Sequence, residues 1–305
     1  MSEVRVRPFQ RSDRDQLTAL VNAHAAALIP GASVSVNTVL SQLEREPAEE
    51  IVDPWVTERR TLVAVRRQAI VAGALLLRYG TGPEVGPHYR GAGEIEWLVF
   101  RPDAEPAGDA LLAACRAVLD GWGASPQYAD GGLPSLAAYG VPDCWPHIRA
   151  LYRHGGFVPR VAAEIILVAP VDRLPGPAAP PVPGLQAGRS VGSCGTRLTA
   201  RLDGTDVGMI EVEADHTAGG VQSRLAGWAD VGNLCVSPGY RRRGIGRWLV
   251  GEAAAWLRLG RADRLLCYAA PDDTAGLAFW AGLGFTELAR TQRGWRYEGG
   301  PERPG

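Results

Sequence analysis

The alternation of apolar and polar positions changes period repeatedly along the chain, and each change marks an element. Residues 4–9 alternate as a first strand, and Ser12 or Asp13 is placed to cap a helix carrying Leu17, Leu20, Val21 and Ala25. A second helix is expected over residues 37–45, followed by β-rich runs at 62–67 and 70–77 around a Gln68-Ala69 turn. Residues 94–100 alternate acidic and apolar side chains up to Arg101-Pro102, after which Leu111, Leu112, Cys115, Val118 and Leu119 recur at helical spacing over 110–122. A strand over 136–141, a helix over 147–154, and a Gly155-Gly156-Phe157 turn into a strand over 162–168 complete the first half.

The second half opens on residues 170–183, where Pro175, Pro177, Pro180, Pro181 and Pro183 stand among small residues. This composition predicts an extended linker between a unit ending near residue 169 and one running from 184 to 300. Strands are expected at 185–191, 196–202 and 207–212, the first two almost touching in sequence. Leu234, Cys235 and Val236 then form a short β-forming run that Pro238-Gly239 stops, and a helical pattern begins near Gly246. The halves repeat each other. Pro102 and Gly108 stand as far apart as Pro238 and Gly244, and Tyr152 and Phe157 as far apart as Trp280 and Phe285.

At 305 residues and 46% hydrophobic content, the chain can fill two cores. The net charge of −1 gives no global field that would favour nucleic acid or an anionic membrane surface, and no run is apolar enough for a signal or a span, so a cytoplasmic protein is expected. All basic side chains are arginine. Cys115, Cys144, Cys194, Cys235 and Cys267 lack metal or disulfide spacing and are expected as reduced core residues. His24, His88, His147, His154 and His216 likewise lack ligand spacing, so no metal is expected. The nine tryptophans are read as packing rather than as a stacking box.

Candidate chemistry concentrates between Leu234 and Arg247. Arg241-Arg242-Arg243-Gly244-Ile245-Gly246-Arg247 joins a strand to a helix, so glycine-permitted backbone N–H groups and the positive end of the helix dipole converge on one spot suited to a phosphate. No Lys-Ser or Lys-Thr follows, as a P-loop requires, and the three-glycine dinucleotide fingerprint is absent.

An Arg-x-x-Gly-x-Gly loop after Leu-x-Val-x-Pro, with Ala278-Phe279-Trp280-Ala281-Gly282-Leu283-Gly284-Phe285 downstream, resembles the coenzyme A loop and late helix–strand of the GNAT N-acetyltransferase superfamily. The resemblance implies an α/β (α+β) chain of two tandem GNAT-like domains. Each would be a mixed, mainly antiparallel twisted sheet flanked by helices. The N-terminal copy would be degenerate, since it carries Asp103, Glu105 and Asp109 where the other carries arginines. The C-terminal copy lacks the first two helices, which in that family help to wall the acceptor site. The N-terminal half or a second subunit would then supply the wall, or the cleft would be open. A homodimer fits the first alternative.

The activity so implied is transfer of an acetyl group from acetyl-CoA to a primary amine of a small molecule. The alternative is a non-catalytic acyl-CoA sensor. Leu234, Cys235, Val236, Arg241 to Arg247 and Asp273 would hold the cofactor. Glu213 or Asp230, with Glu211 nearby, would take the amine proton. Trp280 stands where the family often has a tyrosine acid; an indole N–H cannot serve as one, so either Tyr268 is the proton donor or the thiolate leaves unassisted and takes a proton from solvent. Tyr152 keeps the tyrosine in the degenerate half, where it is read as packing or acceptor binding. Cys235 is read as a small packed residue, not a nucleophile, because no histidine adjoins it.

Overall fold

The structure is a computed structural model describing residues 3–46, 54–134, 138–214 and 227–299. It divides into two units, one built from the chain up to Ala163 together with the segment from Arg290, the other from Glu164 to Ala289 apart from residues near the undescribed stretch.

The first unit contains β1 (Val4–Pro8), α1 (Arg14–Leu28), α2 (Val36–Leu43), β2 (Val56–Arg66), β3 (Ala69–Tyr79), β4 (Gly93–Phe100), α3 (Glu105–Gly121), β5 (Gln127–Ala129), β6 (Val141–Pro142), α4 (Pro146–His154) and β7 (Phe157–Pro159). The second contains β8 (Glu164–Pro170), β9 (Gln186–Gly192), β10 (Gly195–Leu202), β11 (Thr205–Glu213), β12 (Trp228–Val236), α5 (Ile245–Leu259), β13 (Arg264–Ala269) and α6 (Thr274–Ala281). β14 (Thr286–Gln292) begins in the second unit, and β15 (Trp295–Tyr297) lies in the first.

Strand order in the first sheet is β1-β2-β3-β4-β5-β15-β7, and in the second β9-β10-β11-β12-β13-β8-β14, with the two-residue β6 added beyond β14. In both, the central pair is parallel and the neighbouring pairs with resolved registers are antiparallel. The orders match position for position, with one exchange. β8, the last strand after the first repeat, pairs with β13 of the second sheet, while β15 inserts between β5 and β7 of the first. The boundaries expected at 169 and 184 therefore differ from the observed ones. Ile165, Leu167 and Ala169 are buried in the second core, and Trp295 in the first.

The expected 170–183 linker is also packed, within the second unit, since Val171 and Leu174 are core residues. The strand expected over 136–141 is corrected to β5 at Gln127–Ala129, with only Val141 and Pro142 in β6; Leu136 itself lies outside the described residues, as does His216. Cysteine burial is corrected too. Cys115 and Cys267 are buried, but Cys144 and Cys235 are exposed and Cys194 is intermediate.

In the first unit α1 covers one sheet face and α3 the other. A Cβ on Gly73 would strike Leu17 of α1, and Gly108 of α3 sits against the Phe100 ring. The second sheet has α5 on the α3-like face, but the β9–β10 connection is a tight turn with no helices. The sequence of β12 matches that loss. β4 and β12 each carry one bulged residue four before the strand end, Glu96 and Gly232, which sets Trp97 against Asn233 and Val99 against Cys235. Trp97 and Val99 are fully buried under α1, whereas Asn233 and Cys235 are exposed. Polar residues occupy the face from which the helices are missing, and this is why Cys235 is not packed.

His24 makes the first unit sensitive to acid. Its Nδ1–H donates to the Leu20 carbonyl at 2.9 Å, its Nε2 lies 3.3 Å from Nε2 of His147, and the latter also reaches the Phe100 carbonyl at 3.1 Å. Burial first, with His147 nearby, pushes His24 down to about 4. A histidine depressed on folding binds fewer protons than in the unfolded chain, so stability is lost as pH falls from about 6.5 towards 4. The expected loss is on the order of 3 kcal/mol. Urea unfolding at pH 7 and pH 4.5 checks it; the difference should shrink in His24→Gln, and an unchanged difference would assign it elsewhere.

Candidate active site

β12 and β13 run parallel and pair over Trp228–Asp230 with Arg264–Leu266, and there the pairing stops. β12 continues six residues to Val236 and β13 three to Ala269. On its other side β12 stays paired with β11 up to Gly208↔Val236. The two central strands therefore part beyond Asp230, leaving the β13-facing edge of Val231 to Val236 without a strand partner. Free N–H and C=O groups along such an edge are obligatory hydrogen-bonding groups, which an extended amide-bearing ligand can satisfy.

The gap leads to the anion loop. Arg242 and Gly244 hold left-handed φ values of +63° and +82°, the second at the N-cap of α5, with Ile245 as the first helical residue. Left-handed residues next to a helix start turn successive N–H groups inward, and Gly244 does so without the cost a Cβ would impose. Arg241, Arg242, Arg243 and Arg247 are all exposed. Arg241 Nε donates to the Val236 carbonyl at 3.0 Å, tying the loop to the end of β12, and Arg243 lies over the Tyr240 ring. Gly246 faces Val236 and the Phe279 ring.

The three proposed catalytic residues fall on adjacent strands where the gap closes. Glu213 on β11 is the register partner of Asp230 on β12. Asp230 is the last β12 residue paired with β13, and the Tyr268 hydroxyl approaches its Oδ2 at 3.5 Å from the far lip. Glu211 is set apart. It is buried, and Arg197 Nε reaches its Oε1 at 2.6 Å while the Ser193 N–H adds a contact at 3.3 Å. Burial alone would raise this carboxyl, but Arg197 and Ser193 outweigh it and hold it below the ordinary glutamate range. A carboxylate so neutralised is a structural ion pair, not a free base.

Asp273 caps α6, accepting from the Gly276 N–H at 2.9 Å, which accounts for an acidic residue there. Trp280 is buried against Phe279 and Phe285, with ring centroids 5.1 and 4.9 Å away. It cannot deliver a proton.

The corresponding region of the first unit is closed. β4 and β5 pair over Gly93–Ile95, but the chain beyond β5 then returns to β4, with Asp130 N–H on the Ile95 carbonyl and Gly132 N–H on that of Glu96, both 2.9 Å. The N-cap of α3 is Ala104, followed by Glu105 and by Pro106, which has no N–H. An acidic first turn and a missing donor remove what an anion would need. Glu94, in register with Asp230, is buried and accepts from the Tyr79 hydroxyl; burial raises its pKa. Tyr152 is buried against Phe157 and Trp295.

Two sheets of this order, each with a parallel central pair followed by a helix, the second pair parting above the start of α5, define the tandem GNAT architecture. Solved structures agree. A tandem GNAT protein from the clavulanic acid biosynthesis pathway is 16% identical, with TM-score 0.65 over 99% of this chain and 100% of that one. A GCN5-related N-acetyltransferase from Sphaerobacter thermophilus is 14% identical, with TM-score 0.61 over 96% and 94%. A GCN5-related glucosamine N-acetyltransferase region of a fungal multi-domain GH3 β-N-acetylglucosaminidase is 15% identical, with TM-score 0.64; the match covers 97% of this chain but 38% of that one. A comparison with curated protein sequences returns no match. Residues 178–285 match the family model described as Acetyltransferase (GNAT) family. Among the described residues no helix is long and apolar enough to cross a membrane.

Proposed function

We propose that the second unit is an acetyl-CoA-dependent N-acetyltransferase that acts on a primary amine of a small molecule in the cytoplasm. The observation that carries this is the parting of β12 from β13 beyond Asp230, directly before a glycine- and arginine-bearing helix start. The residues present fit the cofactor. The free edge through Leu234, Cys235 and Val236 suits the amides of a pantetheine arm, and the N–H groups of Arg242 to Gly246 suit a diphosphate, with Arg241, Arg243 and Arg247 adding charge. Asp273 contributes by fixing the start of α6.

When bound, the cofactor supplies an activated acyl thioester. Asp230, with Glu213 beside it, takes the proton of the incoming ammonium, directly or through water. Backbone N–H groups of β12 would be placed to polarise the thioester carbonyl. Tyr268 would give a proton to the leaving sulfur, the role Trp280 cannot fill, and would recover one from the second proton that the amine nitrogen sheds.

Buried Trp280 and the exposed β12 face favour a second reading, an acyl-CoA sensor without turnover. Calorimetric titration of acetyl-CoA tests both. Wild type should bind at about one site per chain, and a variant carrying Arg241→Glu, Arg243→Glu and Gly246→Asp should lose affinity by at least about 100-fold, the worth of two charge-assisted contacts. No binding by the wild type ends both readings. Binding without turnover of any amine in a broad screen selects the sensor.

A further inference from the structure

We propose that the proline-rich segment Leu174–Pro183 is a strap that fixes the anion loop, and that Pro181, Trp248 and Gly251 are positioning residues for the cofactor's diphosphate. The inference rests on the diphosphate binding at the start of α5. The strap touches one face of α5 at successive levels. Arg258 Nη2 donates to the Val171 and Leu174 carbonyls, both at 2.8 Å. One level up, Gly251 leaves room for the strap backbone, since a Cβ there would lie 2.9 Å from the Gly176 carbonyl oxygen and 3.7 Å from Pro175 Cβ. Trp248 Nε1 donates to the Ala178 carbonyl at 3.1 Å. At the top, Pro181 Cβ lies 3.2 Å from where a Cβ on Gly244 would stand.

Positions 244, 248, 251 and 258 form one stripe on a helix, at steps of three, four and seven residues. The lengths agree as well. From Arg258 to Gly244 the helix rises about 21 Å at 1.5 Å per residue. From Leu174 to Pro181 an extended proline-rich chain advances about 21 Å at roughly 3.1 Å per residue. The strap is thus matched to the helix from its C-terminal half to its N-cap, and its last contact packs on the left-handed glycine that shapes the anion loop. Proline limits the backbone freedom of this segment before folding, so the segment holds the loop in its binding shape at small entropic cost.

Gly251→Ala tests this cleanly, because alanine is the better helix former and yet forces the strap outward. Pro181→Gly and Trp248→Phe probe the other contacts, the latter keeping an aromatic ring, though a smaller one, while removing the N–H that reaches Ala178. Calorimetry would measure coenzyme A and S-acetylpantetheine, which lacks the diphosphate, beside the thermal midpoint of the unliganded protein. The expected result is about a tenfold loss of coenzyme A affinity in Gly251→Ala and Pro181→Gly, with S-acetylpantetheine binding unchanged, a loss of preorganisation at the loop alone. Wild-type affinity for coenzyme A in all three variants, or equal loss for both probes, overturns the strap's role. Failure of the wild type itself to bind coenzyme A overturns the site assignment and the strap with it. Should Gly251→Ala fail to fold, Trp248→Phe, the mildest change, carries the test.

Discussion

Trp295→Ala is expected to lower the stability of the first unit by about 3–5 kcal/mol, the range for emptying a buried tryptophan site. The substituted residue belongs to a segment from Arg290 that returns to this unit after the second has been traversed. Its side chain is fully buried, stacks near Tyr152 at 5.7 Å, and donates from Nε1 to the Gln292 carbonyl at 2.9 Å. Its backbone pairs with both Ala129 and Pro159. Deleting the chain from Gly294 onward should cost more, since β5 and β7 then lose the strand between them. The converse truncation should fail likewise. A chain beginning at Gly184 has the whole GNAT motif but lacks β8, which pairs with β13 from Arg264 to Ala269 and buries Ile165, Leu167 and Ala169. Chemical denaturation with tryptophan fluorescence checks the first expectation and amide exchange on the two truncations the second. A folded, cooperative 184–305 fragment would show the exchange to be dispensable.

The second large effect concerns Asp230. Asp230→Asn should reduce kcat/KM by about 100- to 10,000-fold, the usual worth of a positioned general base. Acetyl-CoA affinity should hold, because the substitution keeps side-chain volume and leaves the backbone pairing with Glu213 and Leu266 intact. Glu213→Gln should cost far less. Glu213 is exposed and lacks the lip position that places Asp230 opposite the Tyr268 hydroxyl. Tyr268→Phe should lower kcat. The assignment would be wrong if Asp230→Asn turned over normally while Glu213→Gln did not.

The β12–loop–α5 unit was legible because its chemistry is local. Leu234 to Arg247 is one continuous stretch, and the glycines and arginines carry their conformational and electrostatic meaning wherever the chain goes. The absence of helices after β9 was equally plain from the few residues separating β9 and β10. Partner choice between strands is not local. β15 is three residues long, too short for an alternation to register, and nothing in Trp295-Arg296-Tyr297 names β5 and β7 as neighbours.

The proline-rich segment misled for a related reason. Proline spacing reports an extended backbone but not whether something packs on it. A signal did exist in α5, where Ile245, Trp248, Leu249, Val250, Gly251, Ala253, Ala254 and Leu257 are all buried, more than a single apolar stripe requires. A helix with two buried faces needs a second cover. The polar β12 face was likewise written in Asn233 and Cys235, but only the register with Trp97 and Val99 gives those residues meaning.

The exchange of β8 and β15 also bears on synthesis. A ribosome exposes the chain from its N-terminus, and the first unit has every element except β15 long before that strand is made. Until β15 is translated, β5 and β7 stand apart with their facing edges unpaired, a state open to aggregation and to capture of the wrong strand. The second sheet, by contrast, receives β8 before β9 to β14. The first unit thus waits for a strand that follows the whole of the second, whereas the second carries β8 to β13 in one stretch that starts at Glu164.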